Sequence, residues 1–169
     1  MDDLLQRVGS TQIGAIGESL VAACLISSSK GRLSPFRPMA DDDGVDILVL
    51  DKATGGCLPL QVKARTRPDG PRGQTVQFDV QTKNLSSTPK AHLLAILLDV
   101  QQLAIKRAWF IRSSQLIAVA RRGSGKWIVV ANPSLDSKDR FATFRCRDMA
   151  AVTTLICAGF DGMVSRAEP

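Results

Sequence analysis

A chain of 169 residues is long enough to bury a core without disulfides or a structural metal, and one domain spanning residues 1–169 is the default expectation. Hydrophobic residues at 44% and charged ones at 22% are ordinary globular values and suggest neither a disordered nor a membrane chain. A formal charge of +6 points to a polyanionic partner, although charge alone assigns no function.

Unbroken apolar runs such as Leu93 to Leu98 are far short of the roughly 20 residues a bilayer requires, so no membrane association is expected. Met1-Asp2-Asp3 is acidic where a secretory leader is basic, and a cytoplasmic location is the expectation. Cys24, Cys57, Cys146 and Cys157 form no C-x-x-C pair, and a single His92 completes no Cys/His zinc set; free, buried thiols are expected.

From Thr11 to about Ser28, apolar residues recur at spacings of three and four (Ile13, Ile16, Leu20, Val21, Cys24, Leu25), which predicts an amphipathic helix. Ser10 or Thr11 is the expected N-cap, and the serines and glycine of 27–31 are expected to end the helix. Leu33 to Pro38 reads as a short strand confined by its prolines to an edge. Val45 to Leu50 is apolar at nearly every position and predicts a strand covered on both faces. Leu58 to Ala64 alternates, with Leu60 and Val62 on one side and Gln61 and Lys63 on the other, and D-K-A-T-G-G between the two strands reads as a hairpin turn.

Arg65 to Gly73 reads as a polar loop inserted within the domain. Further strands are expected at Val76–Val80, His92–Val100, Ala108–Arg112, Leu116–Ala120 and Trp127–Ala131, a weak helix or irregular segment at Gln81–Lys90, and a final helix at about Arg147–Ala158. This order predicts an α/β or α+β sandwich around a central mixed sheet.

The chemistry concentrates at Asp46, Gln61 and Lys63. Asp46 opens an otherwise apolar strand just after a glycine, and an ionised carboxylate at the rim of a buried strand needs a partner or a cation. Gln61 and Lys63 project from the opposite face to the core residues of the next strand, so a hairpin brings all three to one end of the sheet. That cluster suits phosphodiester hydrolysis. A hard divalent cation takes oxygen ligands, here the Asp46 carboxylate, the Gln61 amide oxygen and the Val62 backbone carbonyl, and shares its remaining positions with water and substrate phosphate. Lys63 would orient the attacking water and stabilise charge that develops on the phosphate.

The segments I-G-A-I-G-E-S (13–19), D-G-V-D-I-L-V (43–49) and L-Q-V-K-A (60–64) resemble the first helix, the Asp strand and the (E/Q)-x-K strand of the PD-(D/E)XK nuclease superfamily. Within it the chain is similar to small prokaryotic domains related to archaeal Holliday junction resolvases and intron-encoded endonucleases. The resemblance spans about residues 10–100, with 101–169 as a C-terminal elaboration. It implies a restriction-endonuclease-like αβββαβ core with a central mixed sheet flanked by helices, plus additional C-terminal strands and a helix.

It further implies a Mg²⁺- or Mn²⁺-dependent endonuclease acting on DNA, branched DNA included, in repair, recombination, restriction or mobile-element biology. A homodimer is implied if both strands are cut. By the same likeness Glu18 is the helix acid that reaches the metal, directly or through water, and Asp46, Gln61 and Lys63 are the catalytic strand residues. Gln61 departs from the commoner acidic residue and removes one negative charge from the site. The alternative is therefore a catalytically inactive nucleic-acid-binding module of the same fold; a third reading is an interaction domain without nuclease activity.

Asp41, Asp42 and Asp43 read as a solvated turn, with Asp43 near enough for an auxiliary ligand. R-R-G-S-G-K-W (121–127) lacks the first glycine and the final hydroxyl of a phosphate-binding loop and reads as a hairpin turn. Arg65, Arg67, Arg121, Arg122 and Lys126 are the candidate phosphate contacts. With no tyrosine the chain has no Tyr nucleophile; His92 reads as a boundary residue, and Trp109 and Trp127 as core or interface anchors.

Overall fold

The computed structural model describes residues 8–40, 44–67, 73–87 and 91–164. Helix α1 (Ser10–Ser28) leads into strands β1 (Leu33–Phe36), β2 (Ile47–Asp51), β3 (Cys57–Arg65) and β4 (Val76–Gln81). After these come α2 (Thr82–Ser87), β5 (His92–Asp99), β6 (Ala104–Arg112), α3 (Ser113–Val119), β7 (Arg121–Gly123), β8 (Lys126–Ala131), β9 (Arg145–Cys146) and α4 (Met149–Val164).

Six strands form the central sheet in the order β1-β2-β3-β5-β6-β9, and β4-β8-β7 form a second sheet. β3 and β5 run parallel while the other central pairs are antiparallel, so the sheet is mixed, as expected. The αβββαβ order is present with one interruption: β4 leaves the central sheet and pairs with β8.

Alternation along the strands builds two cores, one on each face. Leu60 and Val62 of β3, with Leu94 and Ile96 of β5, meet Val21 and Leu25 of α1 and Val152, Ile156 and Phe160 of α4. Leu93 and Ala95 of β5 and Trp109 and Ile111 of β6 point the other way, onto Val76, Phe78 and Val80 of β4 and Val129 and Ala131 of β8. The C-terminal third is thus integral to both cores: α4 covers one face beside α1, and β8 completes the sandwich on the other.

α1 is anchored by a narrower stripe than its apolar spacing predicts. Val21 and Leu25 are fully buried, whereas Ile13, Ile16, Leu20 and Cys24 are only half-buried. The third anchor is Gly17: a Cβ there would stand 2.9 Å from Ala64 Cβ and 3.1 Å from Ile96 Cδ1, so the missing side chain lets the helix approach β3 and β5. Gly9, one residue before the expected caps, is the N-cap, and its N–H donates to Gln12 Oε1 at 2.8 Å. With 19 residues, α1 is also long and apolar enough, by length and composition, to cross a membrane, although none of its apolar runs is unbroken over that length. Here its buried stripe lies against the sheet.

Other expectations need correction. Leu116–Ala120 is not a strand. Ser113 donates both its N–H and its hydroxyl to the Ala91 carbonyl, and only Ser113 and Leu116 are buried, the i, i+3 spacing of the short helix α3. β2 buries Ile47, Val49 and Asp51 while Leu48 and Leu50 are half-buried, so the strand is not covered equally on both faces. The four cysteines are free, but Cys57 is exposed and only Cys146 is fully buried.

Asp51 ends β2 with no solvent exposure and holds the β2–β3 turn. It accepts from Arg32 Nε and Nη2 at 2.8 and 2.9 Å, from Thr54 Oγ1 at 2.8 Å and from Ala53 N–H at 3.2 Å. The Arg32 guanidinium also reaches Asp161 of α4 at 2.6 Å, tying three segments together at the sheet end away from Asp46. These bonds, the Arg32 guanidinium first, hold the Asp51 carboxyl well below the usual carboxylate range.

Candidate active site

The register that places the site begins at Ile47, which pairs with Leu60. One residue earlier the Asp46 N–H still donates to the Leu60 carbonyl at 2.9 Å, and the Asp46 side chain then turns to β3, where Oδ2 accepts the Val62 N–H at 2.6 Å. A carboxylate thus closes the ladder where backbone pairing between the strands ends. Because the N–H and C=O of one strand residue project to the same edge, the Val62 carbonyl also faces the Asp46 side of β3.

Gln61 and Lys63 sit on the sandwich face of β3, in register with Leu93 and Ala95 of β5. Gln61 is 4% exposed and Lys63 half-buried, so neither occupies the wet face of a half-exposed strand. A buried amide and a half-buried ammonium, next to a carboxylate set by a backbone bond, offer oxygen donors and one positive charge at a single rim of the sheet.

The chain reaches this rim through Gly44, which is buried with φ +68°, a left-handed conformation that favours glycine. A Cβ on Gly44 would fall 2.4 Å from Asn84 Cγ, so the side chain of Asn84 on α2 fills the space beside the Asp46 segment. The sequence reading passed over Asn84, because a lone polar residue in a weak helical segment carries no periodic signal. Asp41, Asp42 and Asp43 lie outside the described residues.

Glu18 stands apart from the strand trio. It follows Gly17, the point where α1 crosses Ala64, and so lies near the part of β3 that bears Lys63. Its recorded contact is Arg37 Nη2 at 3.6 Å, with side-chain exposures of 26% for Glu18 and 51% for Arg37. Arg37 also donates to Ser19 Oγ at 3.0 Å.

The basic candidates divide into two groups. Arg65 donates its Nε proton to the Gln77 carbonyl at 3.0 Å, and Lys126 pairs with Asp79 at 2.5 Å, so both have partners within the fold. The Asp79 carboxyl, which also accepts from Gln77 Nε2, is shifted below its ordinary value; burial opposes this shift and the Lys126 and Gln77 bonds outweigh it. Arg67, Arg121 and Arg122 are exposed, with the Arg122 guanidinium 5.8 Å from the Trp127 ring centroid. Residues 121–127 form the expected hairpin, β7 and β8 with their turn at 124–125. His92 stacks on Phe110 at 4.8 Å, and Trp109 is buried in the sandwich core.

The oxygen donors at this rim suit a hard divalent cation. Asp46 supplies a carboxylate whose Oδ2 accepts the Val62 N–H, and the Gln61 amide and Val62 carbonyl add neutral oxygens. Among the described residues no cluster of three or more His, Cys, Asp or Glu is assembled. This all-oxygen set with few charges fits Mg²⁺ or Mn²⁺, which hold waters and substrate phosphate in their remaining positions, and not a closed, all-protein site.

The helix-backed mixed sheet is the restriction-endonuclease-like fold. A bacterial homing endonuclease, I-Ssp6803I, shares it with a TM-score of 0.62 over 95% of this chain and 100% of that one, at 12% identity. Hjc of Archaeoglobus fulgidus, a Holliday junction resolvase, aligns with 77% of this chain and 96% of its own at 12% identity and a TM-score of 0.45. No family model and no curated protein sequence matches the chain.

Proposed function

We propose that this chain is a DNA endonuclease that hydrolyses phosphodiester bonds with the help of Mg²⁺ or Mn²⁺. The observation that carries the reading is the junction of Asp46 with β3: its carboxylate is fixed on the Val62 amide at 2.6 Å, beside the strand that presents Gln61 and Lys63. The match in fold to a homing endonuclease, over 95% of this chain and 100% of that one, supports it.

Asp46, the Gln61 amide oxygen and the Val62 carbonyl would hold the cation, with Glu18 approaching through water. Once bound, the cation supplies a lowered pKa for its water and charge neutralisation at the phosphate. The protein's own contribution is positional. Asp46 is held by a backbone bond, so its carboxylate needs no reordering when phosphate arrives. Lys63, half-buried, orients the attacking water and stabilises the charge that develops on the phosphate oxygens.

Arg67, Arg121 and Arg122 are the basic side chains best placed to meet the phosphate backbone, because their guanidiniums are exposed. A cytoplasmic location and, for cutting both strands, a pair of protomers belong to the same proposal. Branched DNA is included in the substrate class to be tested.

One observation favours a second reading. A single carboxylate at the strand junction, with no acidic cluster among the described residues, is also what a DNA-binding module that has lost hydrolysis would show. Incubation of labelled linear, branched and single-stranded DNA with Mg²⁺ or Mn²⁺ separates them: the nuclease cleaves, whereas the module retards the DNA without cutting it.

A further inference from the structure

α2 is a short helix placed between two features that the proposed function uses. At its first residue, Thr82 donates both its N–H and its hydroxyl to the Gly125 carbonyl, each at 3.1 Å, and Gly125 forms the turn of the β7–β8 hairpin that carries Arg121 and Arg122. Two residues on, Asn84 fills the space over Gly44, close enough that a Cβ there would overlap its Cγ, Cβ and Nδ2 at 2.4 to 2.5 Å. Gly44 in turn lies two residues from Asp46. The contacts run from hairpin turn to Thr82, Asn84, Gly44 and Asp46.

We infer that Asn84 is a positioning residue: it clamps Gly44 so that the Asp46 carboxylate keeps its place on the Val62 amide, and α2 ties that place to the basic hairpin. Gly44 has a left-handed backbone that nothing in its own side chain fixes, so the neighbour filling its open face decides where the next residues lead. Among the described residues, backbone pairing with β3 extends to Asp46 N–H, and β1 pairs with β2 no nearer than Leu48. A truncated Asn84 leaves a void over Gly44 and lets the Asp46 loop relax into it.

The benefit to binding rests on the nuclease reading, whereas the positional claim does not. It is therefore tested first by NMR. The Val62 amide proton, in a short bond to a carboxylate, is expected at unusually low field. Asn84→Ala should move it upfield, with shifts confined to 44–48 and 60–63, while the melting temperature changes little. Asn84→Asp, of the same shape, should leave it near the wild-type position.

In the same samples, Mn²⁺ titration should show roughly tenfold weaker binding for Asn84→Ala, the scale of loss when support behind a metal ligand is removed. A Val62 resonance unmoved by Asn84→Ala, or shifts spread through the whole core, would overturn the inference. Wild-type protein that binds no Mn²⁺ would remove the nuclease reading and leave the Val62 result to be judged alone.

Discussion

Asp46 and Val62 are joined by a bond from side chain to backbone, Oδ2 to N–H at 2.6 Å, at the place where the pairing of β2 with β3 stops. The carboxylate therefore belongs to the sheet as well as to the proposed chemistry, and the two roles separate on substitution. Asp46→Asn keeps an oxygen for the Val62 amide and loses the charge. It should melt within a few degrees of wild type yet bind Mn²⁺ at least tenfold more weakly, as read by calorimetry of both proteins.

Gly44 sets the entry to that bond. Gly44→Ala forces an L side chain to adopt φ +68° and to meet Asn84 at 2.4 Å. The strain is worth about 1–3 kcal/mol. In a chain of this size that corresponds to a fall of roughly 3–10 °C in melting temperature, measurable by calorimetry. Replacing Asn84 with Gly in the same protein should return part of the loss, because it removes the collision but not the strained φ.

Gly17 makes a comparable prediction on the other face. Gly17→Ala places a methyl 2.9 Å from Ala64 Cβ and lifts α1 from the sheet, an overpacking cost of about 1–3 kcal/mol. Ala64→Gly should suppress it. A double-mutant cycle by urea denaturation that gives additive losses would mean the helix adjusts elsewhere.

Asp51 governs the response to acid. Its carboxyl titrates below the unfolded value, so the unfolded chain takes up the proton first as pH falls. The stabilisation is present above the unfolded carboxylate pKa of about 3.9 and is lost as pH drops from there towards the native value. Asp51→Asn should therefore flatten the slope of stability against pH below about pH 4, while Asp51→Ala, which leaves Arg32 with Asp161 alone, should lower the melting temperature at neutral pH by roughly 10 °C.

Much of this frame was legible because it rests on local signals. The D-x₁₄-Q-x-K spacing, the alternation of Leu60 and Val62 with Gln61 and Lys63, and the turn residues between β2 and β3 specify a hairpin and its faces without knowledge of the rest. What escaped depends on contacts distant in sequence. Gly17 reads as a gap in an apolar stripe until Ala64 is seen beneath it. Asp51 looks like a turn residue until Arg32 closes on it, and β4 looks like another central strand until β8 pairs with it from 50 residues on. The helix α3 was misread because Leu-Ile-Ala-Val is apolar in either period, and only the bonds that Ser113 donates to the Ala91 carbonyl decide between them.

The measurement that tests the central claim most directly is cleavage of labelled linear, branched and single-stranded DNA in Mg²⁺ or Mn²⁺ by wild type, Asp46→Asn and Lys63→Met. The account predicts metal-dependent cutting by wild type, lost by a hundredfold or more in both variants while their melting curves stay close to wild type. Folded wild-type protein that binds the DNA and leaves every substrate intact, or cutting that survives both substitutions, would contradict it.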